Sequence, residues 1–350
     1  MSTPKKLSSV AVIGNGIIGH GMAEVFAASG LKVHLIGRSQ ASLASALKRI
    51  ETSREAFRRN GLTTKAEVRA TLGRIAVSTR LEDAAGAELV VEAVPENMEL
   101  KLDIFGRLDR VVAPTTVLAS SSGHPASELV ARVRHRGRVV ATHFWYPPQL
   151  IPLVEVCAGP QTDVDVVPWV CGVLRRAGKE PVVIDREVPG FIGNRIQFAA
   201  LREAWSLWAA GAASAEAIDA VVRYSIGRRL GVTGPIESAD LGGLDTMVNF
   251  ARFLQPTLDV RPEPPSEVAK LAAEGHRGQP SGRGIYDWQK RDGDALLAAR
   301  RAELFRWLKA DKAGAGKPKT PATARAPRAK RATKKVVGRK RLAKGGRRGR

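Results

Sequence analysis

The sequence predicts an α/β fold, a doubly wound and mostly parallel sheet followed by a smaller all-α domain and a disordered basic tail, on three observations. Short apolar, β-rich runs alternate with helical stretches through the first half of the chain, the pattern of βαβ units. After Pro189-Gly190 those runs stop and apolar helical periodicity takes over. From Lys312 to Arg350 there are 16 basic residues, no acidic ones and almost no large apolar ones, too little apolar surface to offset chain entropy.

The strands are expected at Ser9–Ile13, Val33–Ile36, Arg74–Val77, Leu89–Ala93, Thr116–Ala119, Val139–Thr142 and Pro181–Ile184. Between them lie helical stretches at Ile17–Ala28, Ala41–Arg59 and about Met98–Val112, the last with Leu100, Ile104, Leu108 and Val111 spaced for one face. Phe191–Ala210 reads as a long apolar helix, and Ser214–Ile226 follows with Ser214 as its N-cap. Further helices are expected at Leu244–Leu254, Ser266–Glu274 and Asp294–Lys309. Residues 1–187 are therefore assigned to the sheet domain, 188–311 to the helical domain and 312–350 to the tail.

Of 350 residues, 44% are hydrophobic and 26% charged, which excludes collagenous and wholly disordered chains. The net charge is +22, yet residues 1–311 carry 40 basic against 34 acidic side chains, so most of the excess lies in the tail. Such a run attracts polyanions without reading sequence; the alternative is a solvated extension with no partner. No apolar run approaches the ~18–20 residues that span a bilayer, and no signal-peptide core is present, so a cytoplasmic protein is expected. Cys157 and Cys171 are the only cysteines, and the six histidines are scattered. A disulfide framework and a metal site are not expected.

The segment Val10-Ala-Val-Ile-Gly14-Asn-Gly16-Ile-Ile-Gly19 is a G-x-G-x-x-G that closes one strand and opens a helix. Gly14 allows the tight turn, Gly16 lets the backbone approach a pyrophosphate, and Gly19 permits close helix–strand packing. In this context the motif marks a Rossmann-type dinucleotide site. At the end of the second strand, Leu35-Ile36-Gly37-Arg38-Ser39 lacks the usual acidic residue for the adenosine ribose. Arg38 and Ser39 could instead meet a 2′-phosphate, which points to NADP; alternatively Arg38 stacks on adenine, which suits either cofactor.

His143 follows the strand Val139–Thr142 and so falls at the carboxyl edge of the sheet, where doubly wound folds bind ligands. Glu155 lies twelve residues later in an apolar run, where an unpaired carboxylate is costly to bury. Bonded to one ring nitrogen, it would fix the tautomer and leave the other nitrogen as a base for a hydroxyl proton beside a nicotinamide. The plainer alternative is a core histidine and an unrelated rim carboxylate.

Taken together, V-I-G-N-G-I-I-G, V-V-E-A-V-P-E-N-M-E-L-K at 90–101, H-F-W-Y-P-P-Q-L-I-P-L-V-E at 143–155, P-G-F-I-G-N-R-I at 189–196, G-P-I-E-S-A-D-L-G-G-L-D at 234–245 and G-R-G-I-Y-D-W at 282–288 resemble the 3-hydroxyacyl-CoA dehydrogenase family. Relatives acting on other 3-hydroxy acids, such as the L-gulonate 3-dehydrogenase branch, are included. The resemblance covers about residues 8–310 and implies an NAD-dependent oxidoreductase, acting on an acyl-CoA or a related 3-hydroxy acid (gulonate- or carnitine-like) and forming a homodimer. It assigns His143 as catalytic base, Glu155 as its orienting carboxylate and Asn194 as a hydrogen-bonding group near the reacting centre. Glu96 and Lys101 match cofactor-side positions. Ser122 matches the serine that holds the substrate oxygen, with Ser121 as the fallback.

Two departures stand out. Tyr146 replaces the asparagine usual three residues after the histidine, and His124 adds an imidazole to the serine loop. Lys48, Arg49, Arg54, Arg58 and Arg59 fall where the family's acyl-CoA enzymes hold their substrate, or else form a solvated helix face. A 3-hydroxyisobutyrate-type dehydrogenase would need a lysine near Asn194, and Gly193-Asn194-Arg195-Ile196-Gln197 offers none. A rival from another class is a non-catalytic nucleotide-binding protein tethered to nucleic acid by its tail.

Overall fold

The computed structural model describes residues 3–4 and 7–314. Eight strands form one sheet: β1 (Ser9–Ile13), β2 (Lys32–Ile36), β3 (Ile75–Ser78), β4 (Leu89–Glu92), β5 (Val117–Ser120), β6 (Val139–Phe144), β7 (Leu153–Ala158) and β8 (Glu180–Ile184). Their order is β3-β2-β1-β4-β5-β6-β7-β8. All pairings are parallel except β6–β7. Six helices accompany the sheet: α1 (Gly19–Ala28), α2 (Gln40–Arg59), α3 (Lys65–Gly73), α4 (Met98–Val111), α5 (Ala126–Leu129) and α6 (Val166–Arg176).

Side-chain alternation sorts the core into two layers. Val10, Val12, Val33 and Leu35 face α1, α2 and α6, whereas Ala11, Ile13, Val90 and Ala141 face α4 and α5. Ser39 caps α2, Asn97 caps α4, and Thr64 with Glu67 forms a capping box on α3. Arg138, immediately before β6, is buried against Asp109 at 2.8 Å and three backbone carbonyls, which fixes where that strand begins. Burial lifts the Cys157 thiol to about 11, so it stays protonated.

The expected strands all form, with ends shifted by a residue or two. In the sheet domain the sequence gives no expectation for β7, α3, α5 or α6. The run around Glu155 reads as apolar, yet its antiparallel return against β6 follows from the turn at 145–152 and not from composition. α3 is short and mostly solvated, so its signal is a cap more than a periodic face.

The remainder is helical: α7 (Phe191–Ala209), α8 (Ala215–Tyr224), α9 (Ile226–Arg229), α10 (Pro235–Leu241), α11 (Leu244–Leu254), α12 (Ser266–Ala273) and α13 (Gly293–Gly314). Ser214 caps α8 as expected. Among the described residues, α8 to α12 contain no fully buried side chain, and Val221, Leu244, Phe250 and Phe253 are exposed. α13 behaves differently. Its Phe305 is buried against Phe57 of α2, ring centroids 5.2 Å apart and edge-on, with Leu150 beside them. This helix outruns its expected end, and the tail expected to be disordered lies, from residue 315, outside the described residues. No helix of the described residues is long and apolar enough to cross a membrane.

Candidate active site

The turn after β1 is shaped by its glycines. Gly14 has φ +103°, and a Cβ there would stand 2.5 Å from the Ala93 carbonyl; one at Gly19 would stand 1.8 Å from the Gly14 carbonyl. Gly16 is different: nothing lies within 4 Å of its Cβ position, so its bareness leaves open space. Ile18 precedes α1 without a side-chain cap; in its first turn the His20 amide donates to the Gly16 carbonyl at 3.2 Å, while the Gly19 and Gly21 amides make no backbone hydrogen bond among the described residues and are available to an anion. The residues present therefore fit a dinucleotide pyrophosphate. At the ribose end a Cβ on Gly37 would fall 2.8 Å from the Asn15 side chain. No acid fits directly after β2, and the first side chain in that corner is the exposed Arg38. The Ser39 hydroxyl accepts from the Ser42 amide and is used as the cap of α2.

At the same carboxyl edge, the antiparallel register sets His143 directly opposite Glu155. His143 Nδ1 is 2.9 Å from Glu155 Oε2, and the Trp145 indole N–H donates to that oxygen at 3.1 Å. Glu155 Oε1 accepts from the backbone N–H groups of Ile192 and Gly193, both at 3.0 Å, in the first turn of α7. Burial by itself would lift the Glu155 carboxyl; hydrogen bonds from His143, Gly193 and Trp145 outweigh it and hold the group below its ordinary range. An ionised carboxylate only accepts, so the proton on His143 sits at Nδ1 and Nε2 is left as the lone-pair nitrogen. The ring stacks on Phe191, 5.4 Å away and 11° from parallel. Phe191 has φ +54°, a conformation costly outside glycine. Asn194 follows in the same turn of α7, and its side-chain amide makes no hydrogen bond among the described residues.

The serine loop and the start of α4 form a second cluster. Lys101 is fully buried, its ammonium 2.9 Å from Glu92 and 3.5 Å from Glu96. Glu92 also accepts from Ser120 at 2.6 Å. Ser122 is buried, donates to Glu96 at 2.6 Å and accepts from the His124 amide. Its hydroxyl proton is thus engaged, whereas the buried hydroxyl of Ser121 has no partner among the described residues. His124 lies 2.9 Å from Glu128 and 3.7 Å from Glu96.

Sequence reasoning missed Trp145, Glu92 and the two α7 amides. Trp145 could have been found, because it stands two residues after His143 and period-2 alternation puts both on one face. Gly193 carried a signal too: a Cβ there would meet the Trp145 ring at 2.3 Å.

A nucleotide-shaped glycine turn and an imidazole–carboxylate pair on one sheet edge define an NAD-dependent oxidoreductase acting on a CH–OH group. The chain belongs to the 3-hydroxyacyl-CoA dehydrogenase family: the model of its NAD binding domain matches residues 9–188, and that of its C-terminal domain residues 190–288. The chain is 32% identical over 300 residues to the 5-formyl-3-hydroxy-2-methylpyridine 4-carboxylate 5-dehydrogenase of Mesorhizobium japonicum, 85% of this chain and 96% of that one. To the probable 3-hydroxybutyryl-CoA dehydrogenase of Bacillus subtilis it is 32% identical over 288 residues, 82% and 99% of the two chains. A solved NAD+-dependent dehydrogenase acting on that formylpyridine acid superposes with a TM-score of 0.81 at 30% identity, covering 88% of this chain and 99% of the other. The protein is accordingly an NAD-dependent dehydrogenase of a 3-hydroxyacyl-CoA or a related 3-hydroxy acid.

Proposed function

We propose that the chain interconverts a 3-hydroxyacyl-CoA and its 3-ketoacyl-CoA with His143 and Glu155 as the acid–base pair. The observation that carries this reading is the Nδ1 contact to Glu155, which leaves Nε2 lone-paired at the ligand edge of the sheet. NAD, when bound, exchanges the hydride with C3 of the substrate. His143 Nε2 takes the hydroxyl proton in oxidation and returns it in reduction, while ionised Glu155 balances the imidazolium. Asn194 and Ser122 position the reacting oxygen; the Ser122 bond to Glu96 must open for this, and the free hydroxyl of Ser121 is the ready alternative. Glu96 and Lys101 shape the cofactor side, and Gly14, Gly16 and Gly19 form the pyrophosphate turn. The Tyr146 ring replaces an amide beside the substrate oxygen and bears on substrate choice.

The test is the absorbance of reduced nicotinamide against acetoacetyl-CoA and a panel of small 3-keto acids. Turnover with acetoacetyl-CoA is expected; turnover confined to free acids would transfer the reading to a non-CoA 3-hydroxy acid, the alternative favoured by likeness to the pyridine-acid enzyme.

Four finer readings belong with it. Arg38, with no carboxylate beside it and no room for one at position 37, supports use of NADP(H) alongside NAD(H). The exposed apolar side chains of α8 and α11 support a homodimer formed through the helical domain, whose limits fall at 187/188 and, because α13 runs unbroken past 311/312, at Gly314. The basic residues from Lys312 onward support salt-sensitive binding of nucleic acid, and buried thiols without a disulfide suit a cytoplasmic location.

A further inference from the structure

A cavity of about 700 Å³ lies between α2, α13 and the turn joining β6 to β7. Lys48, Arg49 and Arg59 reach it from α2, and Arg300 and Arg301 from α13; no carboxylate lines it. None of the five is within ion-pair distance of an acid among the described residues, although α2 and α13 carry paired charges elsewhere, at Glu55–Arg58 and Glu303–Arg306. Arg49 donates only to the carbonyl of Asn15, in the dinucleotide turn. The cavity floor is apolar, built on the Phe57–Phe305 contact and Leu150. Ile17 and Tyr146 border it, so one end adjoins the glycine turn and the strand end that carries His143.

Five uncompensated cations around one concavity repel one another, and a multiply charged anion relieves that repulsion. The volume suits a ligand of several tens of heavy atoms, far more than a bare short hydroxy acid. Two of the cations come from a helix that begins at Gly293, past residue 288 where the matched family domains end.

We infer that α13 completes a binding site for the remote, multiply anionic end of the substrate, with Arg300 and Arg301 closing over it opposite Lys48, Arg49 and Arg59. This rests on the dehydrogenase reading for the ligand's being the substrate; the anion site itself does not. The charge can be supplied by phosphates of a carrier nucleotide or by carboxylates of a polyacid. Either shares the same chemistry, an organic polyanion with an apolar portion against the Phe57–Phe305 floor.

Calorimetric titration of the full chain with free coenzyme A, and separately with citrate, reads the site without turnover. At least one probe should bind, with an affinity that falls steeply as salt rises. Arg300→Ala/Arg301→Ala should weaken it on the order of 10-fold or more, and Arg300→Lys/Arg301→Lys should restore most of the loss, with NADH affinity unchanged in both. Coenzyme A alone binding identifies the phosphate source, citrate alone the carboxylate source. Failure of both probes to bind, or binding undiminished in the alanine variant, overturns the inference. If coenzyme A binds through the two arginines while acetoacetyl-CoA is not turned over, the anion site stands and the acyl-CoA reading falls. If acetoacetyl-CoA is turned over with the same KM before and after the alanine substitutions, the dehydrogenase reading stands and the role of α13 falls.

Discussion

Trp145 and His143 donate to one and the same oxygen of Glu155, at 3.1 and 2.9 Å. The indole therefore does two things. It helps keep the carboxylate ionised despite burial, and it fixes the plane of the oxygen on which the imidazole rests. Trp145→Phe removes one of four donors to a buried charge, a change worth roughly 1.5–3 kcal/mol of interaction. The Glu155 carboxyl should move upward, and the acid limb of the kcat/KM pH profile should move with it. Activity at neutral pH should fall by no more than about 10-fold, because three donors remain. A pH profile identical to that of the parent would remove Trp145 from the proposed site.

His143→Ala should lower kcat by about 10²–10⁴-fold, with NADH affinity, read by fluorescence titration, essentially intact. Retention of near-parental turnover would refute the assignment of the base. Glu155→Gln should lose activity for a different reason: an amide can present its NH₂ to the ring and permit the wrong tautomer.

Arg38→Asp tests the ribose corner. The ratio of kcat/KM for NADPH to that for NADH should drop about 10-fold or more, since a charge-assisted contact to phosphate is replaced by repulsion. An unchanged ratio would leave Arg38 as an adenine-stacking residue.

Glu24 is buried on α1, where burial lifts its carboxyl to about 7 against a weaker pull from Ser53 and Arg54. The sign follows from linkage. A carboxyl whose folded value is raised above its unfolded value of 4.5 contributes stability that is complete below about 4.5 and lost as pH rises through about 7. The parent should therefore weaken between these limits, by on the order of 3 kcal/mol, and Glu24→Gln should flatten that part of the curve. Urea midpoints at pH 5 and pH 8 read it directly. Lys179, lowered to about 8 by burial, acts at the upper end: its contribution is present above its unfolded value of 10.5 and is lost as pH falls through about 8.

Ending the chain at Gly314, the last residue of α13, should leave dehydrogenase activity in place and abolish retention on duplex DNA at low salt. DNA binding that survives the truncation would place it on the folded body.

Much of this architecture was legible in the chain because period-2 alternation and glycine spacing are local signals. The pairing of His143 with Glu155 was legible as chemistry, a histidine at a strand end and a carboxylate in an apolar run, but its geometry was not. It depends on β7 returning antiparallel to β6, a choice made by the turn. Lys101 could not be told from a solvated helix charge, since the carboxylates that meet its buried ammonium, Glu92 and Glu96, are brought there by the end of β4 and the loop after it. The seat of α13 on α2 was hidden for a similar reason. A weakly amphipathic helix declares its partner through one aromatic contact, Phe305 with Phe57, across more than two hundred residues of intervening chain.

Glu155 holds an imidazole with one oxygen and the head of a long helix with the other. Were the helical lobe to swing outward, the carboxylate would surrender two amide donors at once, and the ring would lose the rigidity of its support. Occupancy of the cleft and readiness of the base are then coupled through a single side chain, and the coupling runs equally in both directions. A ligand that steadies the lobe primes the imidazole, and an imidazolium drawing harder on that carboxylate steadies the lobe in return.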